Sequence, residues 1–292
     1  MSAKIEDLAR ISPTFRRLCS HRLLKPVKIL TQTSILSTVR SKSDRLLAMV
    51  DTAPQSKYRR IVLKISGEAL KEVGSSDSVS PQIVQRMAAS IAEVRKMGVE
   101  VAVVVGGGNI WRGLAASHRG MNRATADYMG MLATIMNGLA LQSAFEQVGI
   151  EARAMSALRL DEVCEPYIRQ RALEHLRRNR VVIFVGGTGL PYFTTDTVAA
   201  LRAVEVGADI FLKGTNVDAV YSSDPRTDKT AAPYRQLGYD QFLADHLKAM
   251  DATAVSLCRE NHLPILLFNM NKPGNIVRAV MQGDIGTLIK EA

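Results

Sequence analysis

Two glycine-rich segments of the sequence stand where apolar runs end. Gly106–Gly108 follow the apolar run Val101–Val105, and Gly186–Gly189 follow a similar run. A run that is apolar at every position favours a strand buried on both faces, as in a parallel sheet. Glycine has no Cβ, so the backbone can turn sharply there and approach a ligand closely. Because Asn109 and Arg112 follow the first segment, we favour an anion site over a tight strand-to-helix turn.

Two lysines lie near the ends of two further apolar runs. Lys64 interrupts Ile61–Ile65 just before a Ser-Gly turn, and Lys213 closes the run Asp209–Lys213. A charged amine in a buried strand is costly unless it reaches a partner, a ligand or, at a sheet edge, the solvent. We favour a ligand for Lys64 because the Ser-Gly turn follows it directly. Together with the glycine segments, these lysines indicate phosphate chemistry.

Other kinds of chemistry lack their sequence motifs. The chain contains neither G-x-x-x-x-G-K-[ST] nor the protein-kinase signatures, and G-x-G-x-x-G is absent near the first strand. The histidines form no H-E-x-x-H motif. The three cysteines, Cys19, Cys164 and Cys258, are too few and too scattered for a zinc site or a disulfide framework. We therefore assign no residue to a metal and expect a reducing compartment.

The elements that must position these residues alternate between strands and helices, which predicts an α/β fold around a mainly parallel sheet. Strands are predicted at 61–65, 99–105, 151–156, 180–185, 209–213 and 263–268, with an edge strand at 286–289. Helices are predicted at 81–98, 125–148, 165–178, from Thr194 or Thr195 to about 205, at 239–250, at 251–261 and from Pro273. A short hairpin or turn is predicted at 217–225. Asp127 falls in the first turn of its helix, where it could meet a ligand or simply favour the helix dipole.

The basic residues are concentrated at the amino terminus. Residues 1–60 contain 13 Lys and Arg but only four Asp and Glu, whereas the rest of the chain contains 25 and 24. We interpret residues 1–56 as a basic, disordered extension or as a product of an upstream start, since Met49 precedes a polar leader. A transit peptide to an organelle and a basic tail that touches RNA or an anionic surface are the alternatives. No apolar run approaches the ~18 residues of a membrane span, and the balanced remainder makes nucleic acid an unexpected partner.

Several short motifs, taken in order, give the chain a family resemblance. They are Lys64–Leu70, Gly106–Asn109 with Arg112–Gly113, Met121–Arg123, Asp127–Thr134, Thr188–Asp196, and Phe268–Met270 with Lys272–Gly274. These motifs resemble those of the bacterial-type uridylate (UMP) kinases of the amino-acid-kinase superfamily. The resemblance implies a three-layer α/β/α sandwich over residues 57–292 that transfers a phosphoryl group from ATP to UMP with Mg²⁺. It also implies a homohexamer, a cytoplasmic role in pyrimidine nucleotide biosynthesis, and UTP as a candidate feedback inhibitor.

The same resemblance implies roles for individual residues. The catalytic residues would be Lys64, Lys213 and Asp196, with the lysines flanking the transferred group and the carboxylate orienting them. The ATP-binding residues would be Lys64, Ile65, Ser66, Gly67, Gly108, Arg112, Thr215, Asn216, Tyr221 and Asp224. The UMP-binding residues would be Gly107, Asp127, Thr188, Gly189, Leu190, Pro191, Tyr192, Phe193, Thr194 and Thr195. We expect any side chain at Gly107 or Gly108 to intrude on the phosphates.

The sequence departs from the family pattern at three places. Leu190 stands where Asn is usual, Gly214 replaces a common Ala, and residues 70–80 lack the Gly-rich pattern associated with GTP activation. Two alternatives stay open: a sibling kinase of carbamate, acetylglutamate or aspartate, and a nucleotide-sensing or RNA-binding regulator. The helix that carries Asp127 argues against the sibling kinases, and the retained lysines with Asp196 argue against a regulator without activity.

Overall fold

The computed structural model describes residues 56–223, 227–281 and 283–292, which fall within one compact unit. Its strands are β1 (Arg60–Ile65), β2 (Glu100–Val105), β3 (Ala152–Ser156), β4 (Glu165–Pro166), β5 (Val181–Val185), β6 (Ile210–Thr215), β7 (Val220–Tyr221), β8 (Pro233–Tyr234), β9 (Gln236–Gly238), β10 (Ile265–Asn269) and β11 (Thr287–Lys290). Its helices are α1 (Pro81–Lys96), α2 (Gly113–Ser117), α3 (Arg123–Gln147), α4 (Arg169–Arg177), α5 (Thr195–Val206), α6 (Tyr239–Ala244), α7 (Ala252–Glu260) and α8 (Asn275–Met281). A 3₁₀ turn, Gly67–Leu70, follows β1.

Nine of the strands form a single sheet in the order β4-β3-β5-β2-β1-β6-β10-β11-β9. All neighbours from β4 to β10 run parallel, whereas β11 runs antiparallel to β10 and parallel to β9. The other two strands, β7 and β8, pair with each other as an antiparallel hairpin. The sheet is thus mainly parallel, as predicted.

Helices cover both faces of the sheet. Successive side chains of β1 point to opposite faces. Leu63 belongs to a buried cluster with side chains of α1, α3 and α8, while Val62 belongs to a second cluster with side chains of α4, α5, α6 and α7. Both side chains are fully buried. Burial of every central strand on both faces explains why these strands are continuous apolar runs. The predicted three-layer α/β/α sandwich is confirmed.

Two differences between the predicted and observed helices lie beside prolines. Glu165–Pro166 form strand β4 beside β3, and the helix predicted from residue 165 begins only at Arg169. Proline lacks an N–H group and disfavours a helical backbone in the residue before it, so this pair suits a sheet edge. Pro273 was predicted as the first residue of a helix, but α8 begins at Asn275.

Other differences concern the end of the chain. The helix predicted at 239–250 ends at Ala244. Strand Thr287–Lys290 was predicted at a sheet edge, but it lies between β10 and β9. The hairpin predicted at 217–225 is formed by β7 with β8, which lies further along the chain, and residues 224–226 are outside the described ranges.

The predicted extension, residues 1–56, lies outside the described part of the chain except for Ser56. The boundary at residue 57 therefore stays a prediction. Among the described helices, none combines the length and the apolar character that a membrane crossing requires.

Candidate active site

Four neighbouring strands bring many of the predicted residues together where their carboxyl ends meet, at one end of the sheet. Strands β5, β2, β1 and β6 are adjacent and parallel, so the segments after them leave the sheet side by side. Lys64 on β1 is the register partner of Lys213 on β6. The first glycine loop, Gly106–Gly108, follows β2, and the second glycine loop, Gly186–Gly189, follows β5. Open α/β sheets bind their ligands at this end.

A buried ion cluster joins β1 and β6 to helix α5. Lys64 Nζ lies 3.0 Å from Oδ1 of Asp196, and Lys213 Nζ donates to Oδ2 of the same carboxylate. The three side chains are only 13, 10 and 11% exposed, in the order Lys64, Lys213, Asp196. Asp196 lies in the first turn of α5, where the helix dipole favours a carboxylate. Thr194 caps this helix by accepting the N–H of Thr197, in agreement with the prediction.

The lysines and the carboxylate of this cluster set each other's charge. Burial alone would raise the pKa of Asp196, but the ammonium groups of Lys64 and Lys213 outweigh burial and lower this pKa to about 2. Burial lowers the pKa of Lys213, and the Asp196 carboxylate opposes that shift. With both amines protonated, the cluster has one positive charge in excess. A buried charge of this kind is compensated when an anion such as a phosphate adjoins it.

The turn after β1 packs directly on the first glycine loop. The side chain of Ile65 is fully buried, so only its backbone could meet a ligand. A Cβ on Gly67 would lie 2.6 Å from the oxygen of Gly106, which requires glycine in the turn. Ser66 lies between Ile65 and Gly67 and directly precedes the 3₁₀ turn.

Two glycines of the first loop differ in the space around them. A Cβ on Gly107 would lie 2.7 Å from Gly130 O and 2.9 Å from Ala133 Cβ, both on helix α3. A Cβ on Gly108 would meet only Glu68 Oε1, at 3.5 Å. The structure thus explains Gly107 by the close approach of α3, whereas intrusion on phosphates stays a prediction for Gly108. The N–H groups of both glycines donate to no atom within the described ranges, so a ligand can accept them.

Helix α3 holds both glycine loops through two polar side chains that the sequence analysis did not single out. Nδ2 of Asn137, a fully buried residue, donates to the oxygen of Gly106 at 2.7 Å. Oγ1 of Thr134 accepts the N–H of Gly186 at 2.8 Å. A buried amide within a long apolar helix needs such partners, and this is the signal that could have identified Asn137.

The second glycine loop is shaped by left-handed backbone. Gly186, Gly187 and Gly189 have φ angles of 72, 62 and 82°, where glycine is favoured. Tyr192, shortly after the loop, also has a φ of 72°, which is strained for a residue with a Cβ. The N–H of Tyr192 donates to Oδ2 of Asp127 at 2.9 Å, so α3 fixes this segment as well.

Asp127 does not lie where the sequence analysis placed it. Helix α3 begins at Arg123, with Asn122 as its N-cap, so Asp127 is in the second turn and not in the first. This position removes the argument from the helix dipole, which acts within the first turn. Instead, Arg123 Nε lies 2.9 Å from each carboxylate oxygen of Asp127. The carboxylate is therefore already oriented by one cation and one backbone N–H.

The remaining residues assigned to UMP form an open rim. Thr188 Oγ1 accepts the N–H of Leu190 at 3.1 Å, which folds the segment back on itself. Leu190, Tyr192 and Phe193 are 59, 67 and 50% exposed, so their side chains are free to meet a ligand. Pro191 lies between them in the sequence. The structure thus brings the segment from Thr188 to Thr194 beside Asp127.

A cavity of about 450 Å³ lies beside the carboxyl ends of β6 and β10. Tyr221, one of the residues assigned to ATP, lines it. So do Asp218, Asn269 and Lys272, which the sequence analysis did not assign to ATP. Lys272 Nζ lies 2.8 Å from Oδ1 of Asp218, and Asn269 Nδ2 donates to that oxygen at 3.0 Å. The volume falls within the range of small-molecule sites, and the lining is mostly polar and charged.

Other residues assigned to ATP lie outside this cavity. Thr215 ends β6 and Asn216 follows it. Arg112 forms an exposed ion pair with Glu68 at 2.6 Å. Its Nε lies 3.4 Å from the oxygen of Gly108 in the first glycine loop. Asp224 lies outside the described ranges.

Within the described ranges, no group of three or more His, Cys, Asp or Glu residues could hold a metal ion. The buried carboxylate of Asp196 is already engaged by two lysines. Mg²⁺ keeps several waters and binds largely through substrate phosphates.

Known proteins share this architecture. The sequence profile described as the amino acid kinase family matches residues 59–269. The chain is similar to the solved UMP kinase from Bacillus anthracis, with 38% identity and a TM-score of 0.77 over 80% of this chain and 96% of that one. UMP kinase from Ureaplasma parvum is 40% identical with a TM-score of 0.76, and the match covers 80% of this chain and 100% of that one. Uridylate kinase from Archaeoglobus fulgidus is 31% identical with a TM-score of 0.61, and the match covers 78% of this chain and 99% of that one. By its profile match and its fold, the chain belongs to the amino acid kinase family.

Proposed function

We propose that this protein is a UMP kinase, which transfers the γ-phosphoryl group of ATP to UMP and releases ADP and UDP. The observation that carries the proposal is the buried cluster of Lys64, Asp196 and Lys213. It lies at the carboxyl ends of the strands from which the two glycine loops emerge. Solved structures at 38 and 40% identity are UMP kinases, which supports UMP as the acceptor.

The chemistry follows from the charges of the reacting groups. An oxygen of the UMP phosphate attacks the γ-phosphorus of ATP, and the bond to the bridging oxygen of ADP breaks. The attacking phosphate is largely ionised at neutral pH, because its second pKa is about 6. A general base is therefore unnecessary. Lys64 and Lys213 neutralise the charge that spreads over the transferred group, and Asp196 holds both amines in place.

Each substrate has its own side of the site in this proposal. ATP phosphates lie on the turn Lys64–Gly67 and on Gly108, with Arg112 released from Glu68 to contact them. The phosphates of ATP would hold Mg²⁺, which would supply further neutralisation of their charge. The adenosine part lies towards Thr215, Asn216 and Tyr221, with Asp224 as a further contact. UMP lies on Gly107 and on the segment Thr188–Thr195, with its ribose on Asp127.

A coupled assay of ADP release tests the acceptor. UMP, CMP, carbamate and aspartate are compared at equal ATP and Mg²⁺ concentrations. We expect UMP to give the highest kcat/KM. A preference for carbamate or aspartate would assign the chain to a different enzyme of the same family.

The family resemblance supports further proposals about the whole enzyme. These are assembly as a homohexamer, a cytoplasmic role in pyrimidine nucleotide biosynthesis, and feedback inhibition by UTP. A surface for assembly is available on α3, where Met129, Leu132 and Met136 are 36, 47 and 59% exposed along one face. Sedimentation of the full chain, with and without UTP, measures both the assembly and its response to the inhibitor.

A further inference from the structure

We propose that Asn137 and Thr134 are positioning residues for phosphoryl transfer, Asn137 for the first glycine loop and Thr134 for the second. The inference rests on the proposed function, because that function assigns Gly107 of the first loop to UMP, Gly108 to ATP, and the second loop to UMP. Each side chain acts through a backbone group of its loop and touches no substrate itself.

Every polar atom of the Asn137 amide has a partner at the first glycine loop. Nδ2 donates to Gly106 O at 2.7 Å and to Asn109 Oδ1 at 2.8 Å. Oδ1 accepts from Asn109 Nδ2 at 3.0 Å, and that nitrogen also donates to Ser78 O at 2.7 Å. Carbonyl oxygens can only accept, so Gly106 and Ser78 fix the orientation of both amides. The two side chains thus form a closed pair that joins α3, the loop and the segment before α1.

Packing alone does not require an amide at this position. Asn137 is fully buried, and an apolar side chain of the same shape would avoid the cost of desolvating an amide. What the amide adds is a fixed carbonyl at Gly106. That carbonyl belongs to the peptide whose N–H is on Gly107, so holding it sets the direction of an N–H group that is free to meet a ligand.

Thr134 performs the matching role at the second glycine loop. Its hydroxyl proton is donated to Met131 O at 2.6 Å, which leaves its lone pair facing the N–H of Gly186 at 2.8 Å. Gly186 opens the loop with a φ of 72°. The hydrogen bond therefore fixes the point at which the chain leaves β5 and turns towards the UMP side.

One rigid helix thereby sets the distance between the two loops. Thr134 and Asn137 are three residues apart, so they lie on the same face of α3. A displacement of about 1 Å between reacting groups can cost on the order of a hundredfold in rate. Loosening either hydrogen bond should therefore slow transfer without removing any group that contacts the phosphates.

Two substitutions of similar shape separate the roles. In Asn137→Leu we expect kcat to fall by about tenfold to a hundredfold, with higher KM values for both UMP and ATP, because Gly107 and Gly108 lie in the loosened loop. In Thr134→Val we expect only the KM for UMP to rise, and Thr134→Ser, which keeps the hydroxyl, should restore it. Gln142→Leu is the matched control, because Gln142 Oε1 accepts the N–H of Ala154 at 2.8 Å from the same helix, away from both loops. This control should lower the Tm and leave both KM values unchanged.

The kinetic pattern, normalised to folded enzyme, decides the proposal. Equal behaviour of Asn137→Leu and Gln142→Leu, with both KM values unchanged, would show that Asn137 is only structural and would overturn it. If Asn137→Leu does not fold, Asn109→Ala breaks the same amide pair from the loop side and should raise the KM for ATP. If the wild-type enzyme prefers an acceptor other than UMP, the proposed function fails. The KM for ATP measured with that acceptor still decides the role of Asn137.

Discussion

Asp196 controls the charge of the site, because its two oxygens contact two different lysines. In phosphoryl transfer the protein has little covalent chemistry to perform, so the placement of positive charge accounts for most of the catalysis. The carboxylate holds Lys64 and Lys213 close together in spite of their mutual repulsion. Within these three residues one positive charge remains in excess, and in the proposed function that charge is available to the transferred group.

Lys64→Ala tests the role of this charge. We expect the variant to keep its fold, since Asp196 retains Lys213 as a partner. Its kcat should fall by about 10²–10³-fold, the effect of removing one preorganised donor. Lys248→Ala, at an exposed position on the surface, is the control. A kcat close to that of the wild type would contradict the assignment of Lys64.

The low pKa of Asp196 predicts how stability depends on pH. This pKa is about 2 in the folded protein against 3.8 for the unperturbed group. The ionised carboxylate therefore stabilises the fold above pH 4, and that contribution of about 2 kcal/mol is lost as the pH falls from 4 towards 2. Asp196→Asn should be less stable at neutral pH but should show a shallower loss between pH 4 and 2. Denaturant unfolding at several pH values measures both slopes, and equal slopes would contradict the shift.

Sequence reasoning identified the lysines because a charged group in an apolar run is conspicuous and costly. It did not identify Asn137, because the value of that amide depends on Gly106, which lies 31 residues earlier in the chain. Only the path of α3 across the ends of β2 and β5 brings the two together. In the same way, the ion pair between Arg112 and Glu68 joins residues that are 44 positions apart.

Helix α3 is the element that organises both halves of the site. It contacts the first glycine loop through Asn137, the second through Thr134, and the segment after it through Asp127. Its close approach also explains a glycine within the first loop. The backbone of Gly107 lies so near to Gly130 and Ala133 that no side chain fits between them.

Gly107→Ala and Gly108→Ala should therefore fail in different ways. The first places a methyl group against α3 and should cost about 1–3 kcal/mol of unfolding free energy, the usual effect of overpacking. The second has room in the free protein, so its Tm should stay close to that of the wild type while its KM for ATP rises. Thermal unfolding and steady-state kinetics of the two variants are compared side by side. Equal loss of stability in both would contradict the difference in packing.

The longer elements were predictable because burial on both faces leaves a continuous apolar run in the sequence. Strands β4, β8 and β9 have only two or three residues each, which is too short for any periodicity to show. The order of the strands at the end of the chain could not be predicted from the sequence either. Thr287–Lys290 has the sequence of an edge strand, and only pairing with Gln236–Gly238 places it inside the sheet.

At the scale of the whole molecule, the exposed apolar face of α3 predicts how copies associate. In Leu132→Glu, an unpaired charge would be buried between two copies at a cost of about 3–5 kcal/mol. We expect this variant to sediment as a smaller species than the wild type at micromolar concentration, with an unchanged Tm for the separated chain. Val163→Glu, which replaces another exposed apolar residue away from α3, should not change the assembly. Identical sedimentation of Leu132→Glu and the wild type would exclude this face as the contact.

The two edges of the sheet have a consequence for aggregation. One edge is the strand Glu165–Pro166, which ends in a proline, and the other is the three-residue strand Gln236–Gly238. Edges this short offer few free backbone groups, and a proline has no N–H to donate to an incoming strand. β4 covers only Met155 and Ser156 of β3, and the N–H of Ala154 in the uncovered part is bonded to Gln142 Oε1. These features limit the pairing of the sheet with strands from a second chain and so reduce its tendency to amyloid-like pairing.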